Sequence, residues 1–255
     1  MTDPNLEPIL IVNNLTTVFP DADGGLHALD KVSFSIRPRE LVCVLGPSGS
    51  GKSTLLRVLA GLLKPTSGSF RFRFNGSDEP KIGMVFQHAN LMPWRRALEN
   101  VSLPLELQGM NKKLAREKAY ELFQQVGLQG FEDNWPHELS GGMAQRIGIA
   151  RALAHDPEIL LLDEPFGSLD ALTREHMWSE LLNIWEVRQK TILMVTHSIS
   201  EALFLADRVL VLTQRPGSIK LDLPVSLPRP RQDEMRYTPA FGKLARQLKE
   251  AIGEH

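Results

Sequence analysis

The chain has 255 residues, of which 42% are hydrophobic and 23% charged, a composition typical of a folded protein and not of a disordered one. Its formal net charge of −1 provides no global basic field, which argues against binding to nucleic acid or to an anionic membrane surface. The single cysteine, Cys43, cannot form an internal disulfide, which fits a reducing cytosol. No basic segment precedes an apolar one at the N-terminus, and no apolar run approaches the ~18 residues that span a bilayer. We therefore predict a cytosolic protein without a signal peptide.

The N-terminal part of the chain has strand patterns on both sides of one strand–loop–helix unit. The run 41–45 is apolar throughout, which is typical of a buried parallel strand, and it leads into a predicted helix over 52–60 that ends at Gly61. Alternation at 69–75 predicts a strand with three phenylalanines, Phe70, Phe72 and Phe74, on one face. The predicted strands of this part lie at 9–18, 29–36, 41–45, 69–75 and 82–86.

Between residues 88 and about 156, helical patterns replace strand patterns, which predicts an inserted helical sub-domain. Its predicted helices lie at 97–103, 114–126 and 143–154. Strands then alternate with helices, which predicts a mostly parallel sheet. These later strands lie at 159–162, 191–196 and 208–212, and the helices at 171–188 and 200–205. A proline-spaced stretch over 215–231 and a short amphipathic helix over 241–252 complete the chain.

A phosphate-binding loop follows the buried strand 41–45. The pattern G-x-x-x-x-G-K-[ST] is matched by Gly46, Pro47, Ser48, Gly49, Ser50, Gly51, Lys52 and Ser53. Its glycines let successive backbone N–H groups point into one concavity that binds phosphate oxygens. We expect Lys52 to reach the β- and γ-phosphates of a nucleoside triphosphate, Ser53 to ligate Mg²⁺, and Thr54 to add a hydroxyl.

Two acidic residues, Asp163 and Glu164, end the apolar run 159–162. Ligands of open α/β sheets bind beyond the carboxyl ends of the strands, which is where both carboxylates fall. We predict that Asp163 holds Mg²⁺ through water and that Glu164 polarises the attacking water as a general base.

A second candidate anion site is the tripeptide Ser140-Gly141-Gly142, which precedes a predicted helix. A serine hydroxyl and glycine amides at a helix N-terminus can bind an anion. The same residues would also serve as a helix N-cap alone, and the residues by themselves leave both interpretations open.

The string from Leu139 to Arg146 resembles the signature of the ATP-binding cassette (ABC) ATPases. Also similar to that family are Gln87 as its Q-loop, Ser168-Leu169-Asp170 as its D-loop, and His197 as its switch histidine. The resemblance covers roughly residues 9–215, with the motifs in family order. It implies an α/β fold of the P-loop NTPase (RecA-like) type, with a mostly parallel core sheet, an antiparallel β part and an inserted helical sub-domain.

The resemblance implies a homodimer of cassettes paired head to tail, in which each ATP lies between one P-loop and the partner's Ser140-Gly141-Gly142. It further implies that His197 contacts the γ-phosphate and that Gln87 links the Mg²⁺ site to the helical sub-domain. Asp170 would line the dimer seam. Phe19 is the candidate for the aromatic ring that stacks on adenine, with a core position as the alternative.

In family terms we expect one ABC ATPase domain over 1–255. Its nucleotide-binding core would comprise about 1–87 and 157–222. The helical sub-domain with the signature would cover about 88–156, and a C-terminal tail about 223–255.

Leu91, Met92 and Trp94 beside a proline predict an adaptable apolar patch suited to a partner helix, or packing within the sub-domain. This segment and the tail stretch 215–231 resemble the nitrate, sulfonate and taurine branch of importers. That resemblance implies a separate membrane permease, an extracytoplasmic solute-binding protein as an indirect partner, and no nucleic acid. The chain would sit peripherally at the cytoplasmic face of the inner membrane.

Three alternatives remain in view. An ABC exporter or lipid-transport ATPase is the nearest, and a soluble ABC protein acting on ribosomes or DNA is another. A small-molecule kinase also uses a P-loop, but it has no use for Ser140-Gly141-Gly142 or for a Glu164 placed to activate water. In the importer architecture that the resemblance implies, the permease and the solute-binding protein select the cargo, so this sequence does not reveal it.

Overall fold

The computed structural model describes residues 7–20, 25–73 and 81–253. The chain divides into two compact units. The first is formed by Met1–Pro80 together with Thr191–His255, and the second by Lys81–Lys190. The predicted helical region 88–156 lies inside the second unit.

The structure contains strands and helices in alternation over much of its length. The strands are β1 (Leu10–Phe19), β2 (Leu26–Ile36), β3 (Leu41–Leu45), β4 (Ser67–Phe72), β5 (Ile82–Val85), β6 (Ile159–Asp163), β7 (Thr191–Thr196), β8 (Arg208–Leu212) and β9 (Ile219–Pro224). The helices are α1 (Lys52–Leu59), α2 (Ala97–Leu107), α3 (Lys112–Gln125), α4 (Gly141–Leu153), α5 (Ala171–Arg188), α6 (Ile199–Leu205) and α7 (Pro239–Ile252). Among the described residues, none of the helices combines the length and apolar character needed to cross a bilayer.

An antiparallel sheet in the first unit places β1 between β2 and β4, as the predicted antiparallel part requires. The strand predicted at 69–75 begins earlier, at Ser67. The sequence pattern missed this start because a glycine, Gly68, interrupts it. Gly68 has a φ of +81° and packs so close to Asn14 that a Cβ would lie 2.2 Å from the Asn14 carbonyl oxygen. The rings of Phe70 and Phe72 lie edge to face with centroids 5.8 Å apart, consistent with one face, and Phe74 lies outside the described residues.

The second sheet region of this unit has the strand order β7-β3-β8-β9. Both β7 and β8 run parallel to β3, whose five residues are all buried, and this explains the uninterrupted apolar run 41–45. Cys43 within it is fully buried, and burial raises the pKa of its thiol well above the usual value.

Strand β9 was not predicted, and it pairs antiparallel with β8. Its residues alternate between half-buried and exposed, with Ile219 and Leu221 on the covered face and Lys220 exposed between them. This period of two was present in the sequence, but the surrounding prolines obscured it.

In the second unit β5 lies parallel to β6, and helices α2 to α5 provide most of the remaining residues. No strand occurs between residues 88 and 156, all of which are described, so the helical prediction for this region is confirmed. Helix α2 runs past its predicted end at residue 103 to Leu107, through Pro104. Burial of Leu105 favours this last turn despite the proline.

Candidate functional site

The P-loop connects β3 to α1, as the strand–loop–helix pattern predicted. Gly49 and Gly51 have φ angles of +77° and +89°, in the left-handed region that favours glycine. A Cβ on Gly51 would lie 2.6 Å from the carbonyl oxygen of Ala28, so a larger residue would also clash. The loop therefore leads its backbone tightly into the N-terminus of α1, an arrangement that suits an anion.

Lys52 is the first residue of α1 and is only 5% exposed. Its ammonium donates hydrogen bonds to the carbonyl oxygens of Gly46 (2.8 Å) and Pro47 (3.0 Å). The ammonium group is thus held at the P-loop, where the oxygens of a bound phosphate would compete with these two carbonyls for its hydrogen bonds. Ser53 and Thr54 follow in the first turn of the helix and are half-buried.

His197 lies beside the start of the P-loop. Leu45 at the end of β3 is opposite Thr196 at the end of β7, and the two strands are parallel. Gly46 and His197 therefore leave neighbouring strands at the same edge of the sheet. Ser198 then caps α6 by accepting a hydrogen bond from the backbone N–H of Glu201 (3.3 Å), so His197 is placed between a strand end and a helix start.

Phe19 is the last residue of β1 and is half-buried. Residues 21–24, which follow it after Pro20, are outside the part of the chain that the structure describes. Half-burial fits a ring that stacks on a ligand as well as one that contributes to the core, so the role of Phe19 stays a prediction.

Gln87 and Glu164 converge within the second unit. Val85 of β5 lies opposite Leu162 of β6, so both chains leave parallel strands at the same end. A Cβ built on Gly167 would lie 3.6 Å from Gln87 Nε2 and 3.6 Å from Glu164 Oε2. The amide and the carboxylate thus both lie beside one glycine, each within van der Waals distance of where its Cβ would be.

The two acidic residues differ in their surroundings. Asp163 ends β6 and is only 5% exposed, whereas Glu164 is half-buried. Glu164 has a φ of +44°, which is uncommon for a non-glycine residue and indicates a constrained backbone at this turn. A hydrogen bond from the Gly167 N–H to the Glu164 carbonyl (3.1 Å) closes the turn.

Ser140 is the N-cap of α4, and its hydroxyl accepts a hydrogen bond from the backbone N–H of Met143 (3.3 Å). Ser140 therefore does act as a helix N-cap, while its part in an anion site remains a prediction. Both Ser140 and Gly141 are exposed, but Gly142 is buried, and a Cβ on it would lie 2.9 Å from Thr173 Cγ2 of α5.

Asp170 caps α5 and lies close to these glycines. Its carboxylate accepts a hydrogen bond from the backbone N–H of Thr173 (3.0 Å), and hydrogen bonds with Thr173 lower the pKa of Asp170. The same Thr173 packs against Gly142. The structure therefore brings the predicted signature and D-loop residues together at two adjacent helix N-termini.

Two residues join the signature helix to the segment around Gln87, and the sequence analysis assigned this role to neither. The Gln145 side chain donates a hydrogen bond to the carbonyl of Phe86 (3.2 Å). Arg151 donates to the carbonyls of Ala89 (2.6 Å) and Asn90 (2.9 Å), and burial lowers its pKa. Gln145 was visible as part of the signature string, but no sequence signal identified Arg151.

A protein-family model described as "ABC transporter" matches residues 29–167. The chain belongs to the ABC transporter family. The matched range includes the P-loop, Gln87, the signature, Asp163 and Glu164, whereas Phe19, Asp170 and His197 lie outside it.

Curated relatives match most of the chain. An uncharacterised ABC transporter ATP-binding protein of Methanocaldococcus jannaschii is 49% identical, covering 87% of this chain and 84% of its own. The nitrate import ATP-binding protein NrtD of Synechocystis is 44% identical over 94% and 93%, respectively. The taurine import ATP-binding protein TauB of Pelagibacter ubique is 46% identical over 82% and 80%.

Solved structures support the same family and fold. An ATP-binding cassette determined as a dimer in a post-hydrolysis state, bound to ADP and phosphate, is 35% identical with a TM-score of 0.75. The match covers 86% of this chain and 99% of that one. The chain is an ABC ATPase cassette, and the predicted fold class is confirmed.

Proposed function

We propose that this chain is the ATP-hydrolysing subunit of an ABC importer that takes up a small anionic solute through a separate permease. The observation that carries the proposal is the grouping of the motif residues. The P-loop and His197 share one sheet edge, Gln87 and Glu164 share one glycine, and the signature and Asp170 share Thr173. The nitrate and taurine import names of relatives at 44% and 46% identity support the importer branch.

MgATP is the nucleotide that these residues suit. The glycine conformations of the P-loop and the Lys52 ammonium fit the phosphates, with Ser48, Ser50 and Thr54 as further contacts. Mg²⁺ prefers oxygen ligands, and the ligands that we propose for it are the Ser53 hydroxyl, the Asp163 carboxylate and the Gln87 amide oxygen. Bound there, the ion would neutralise charge that develops on the phosphates.

Glu164 is proposed to accept a proton from the attacking water, and His197 to contact the γ-phosphate. Gln87 would couple the binding of nucleotide to the position of the segment that follows it. Gln87 Nε2 and Glu164 Oε2 both lie 3.6 Å from where a Cβ on Gly167 would be, and this common neighbour supports the assignment.

Two copies of the chain are proposed to pair head to tail, with the Ser140-Gly141-Gly142 of one copy against the ATP of the other. The exposure of Ser140, Gly141 and Asp170 leaves these residues available to a second copy. A related cassette bound to ADP and phosphate was determined as a dimer, which supports the pairing of two copies.

The surface that would meet the permease is the segment around Trp94. Trp94 is 71% exposed, while Leu91 and Met92 are half-buried. The buried Asn100 holds this segment in place, because its side chain accepts from the Met92 N–H (2.7 Å) and donates to the carbonyl of Arg95 (3.0 Å). A pre-positioned, exposed tryptophan suits a permease helix. The permease would hold the chain at the cytoplasmic face of the membrane and connect it to a solute-binding protein outside.

The test is affinity purification of tagged Glu164→Gln protein with ATP from mildly solubilised membranes, followed by mass spectrometry. We expect a multi-span permease to be recovered, and its identity to lead to the solute-binding protein. A second preparation carrying Trp94→Ala as well should retain ATP binding but lose most of the permease. Recovery of an export permease, of ribosomes or of no membrane protein would contradict the importer assignment.

A further inference from the structure

The turn after β8, residues 213–218, is cross-linked by the side chain of Thr213. The Thr213 hydroxyl donates to the carbonyl of Pro216 (2.9 Å) and accepts from the backbone N–H of Ser218 (2.9 Å). The Thr213 N–H in turn donates to the Ser218 carbonyl (2.9 Å). These bonds give the turn one well-defined shape at its base.

This turn packs directly on the P-loop through Gly217. A Cβ on Gly217 would lie 2.0 Å from the carbonyl oxygen of Ser50, so no other residue fits there without movement of the loop. The Gly217 N–H donates to the Ala28 carbonyl (3.0 Å), and its own carbonyl accepts from Asp30 N–H (2.9 Å). The turn, the start of β2 and the P-loop thus form one backbone cluster.

Arg215 extends from the same turn over the P-loop. Its Nε donates a hydrogen bond to the Gly49 carbonyl (3.4 Å), and its Nη2 lies 3.2 Å from where a Cβ on Gly49 would be. The side chain is exposed, and within the described ranges no carboxylate lies at ion-pair distance from it. The guanidinium therefore directs its donors to the loop and not to an acidic neighbour.

We infer that Arg215 is a positioning residue for the phosphate-binding loop, and that it raises the affinity of the chain for ATP. The inference rests on the proposed binding of ATP phosphates by the P-loop. Gly49, at a φ of +77°, is free to change conformation, and the amide concavity binds phosphate only while its peptide planes keep their orientation. A donor on the Gly49 carbonyl favours the binding conformation before ATP arrives, which reduces the ordering cost of binding. Its charge also favours an anionic ligand.

The test compares Arg215→Gln and Arg215→Lys with the wild type in full-length protein. The matched control is Arg246→Gln, which removes the charge of an exposed arginine on α7. Dissociation constants for MgATP are measured by calorimetry, KM and kcat by phosphate release, and the midpoint of thermal unfolding by circular dichroism.

We expect Arg215→Gln to raise the dissociation constant and the KM for ATP about fivefold, as an exposed charge-assisted contact allows. The kcat and the unfolding midpoint should stay near the wild-type values, Arg215→Lys should recover part of the affinity, and Arg246→Gln should behave as the wild type. Unchanged ATP affinity in Arg215→Gln would overturn the inference, and so would a loss of affinity that parallels a lower unfolding midpoint. Failure of the wild-type protein to bind ATP would instead contradict the proposed function, and the inference, which depends on that function, would fall as well.

Discussion

Gln145 and Phe86 are joined by a hydrogen bond from the side-chain amide of the first to the main-chain carbonyl of the second, over 3.2 Å. Gln145 lies on α4, which the signature serine caps, and Phe86 immediately precedes Gln87. The bond therefore connects two of the predicted nucleotide-dependent motifs inside one compact unit.

Replacement of Gln145 by Leu should destabilise the second unit. The side chain is only 2% exposed, so the variant leaves the Phe86 carbonyl without its donor, at a cost of about 1–3 kcal/mol in the free energy of unfolding. Urea denaturation measures this loss, with Gln124→Leu at an exposed position of α3 as the control. Equal stability of the two variants would show that the bond contributes nothing.

Lys52→Ala should lose tight nucleotide binding. The buried ammonium is held at the P-loop by two carbonyls, and its transfer to phosphate oxygens forms charge-assisted hydrogen bonds. We expect the dissociation constant for MgATP to rise by at least about tenfold, measured by calorimetry. Lys64→Ala, at an exposed position, serves as the comparison, and unchanged ATP affinity in Lys52→Ala would contradict the P-loop assignment.

Glu164→Gln should bind ATP but hydrolyse it very slowly. The substitution keeps the size of the side chain and removes its ability to accept a proton, so turnover should fall by about a hundredfold or more. Size-exclusion chromatography with ATP should then show an accumulated dimer. Glu186→Gln on the exposed face of α5 should hydrolyse ATP at the wild-type rate, whereas undiminished turnover in Glu164→Gln would remove the general-base role.

Arg231→Met should destabilise the first unit. Arg231 is only 9% exposed, and its guanidinium donates hydrogen bonds to the carbonyls of Ala206 (2.9 Å) and Pro228 (2.8 Å). Burial lowers its pKa to about 10, so the cation persists at neutral pH. Loss of these donors should cost about 3 kcal/mol, measured by denaturant unfolding, and a value equal to that of the exposed control Arg246→Met would exclude a structural role.

Much of the fold was predictable because its signals are local. The run 41–45 followed by the P-loop pattern predicted a buried strand, a glycine loop and a helix, and the structure has all three. Helix α5 has the bounds that its sequence pattern predicted, 171–188. These elements depend on side-chain periodicity and on glycine conformation, which neighbouring residues determine.

Elements that depend on their neighbours in space were predicted less well. The start of β4 depends on the approach of Gly68 to Asn14, and β9 forms because β8 offers it an edge. The contact of Arg151 with Ala89 joins residues 62 positions apart, and that of Arg215 with Gly49 joins residues 166 positions apart. No periodicity along the chain encodes such pairs.

By itself, then, the sequence determined which residues are candidates for binding phosphate and in what order they occur. Such motifs are recognised from the types of neighbouring residues, glycine, lysine and carboxylates, and from their spacing along the chain. The tertiary structure alone decided which motifs are neighbours. His197 adjoins the P-loop through the parallel register of β3 and β7, and Gly217 adjoins Ser50 because its missing Cβ allows two backbones to touch. Both relationships follow from strand pairing and close packing, which arise only when distant segments of the chain fold together.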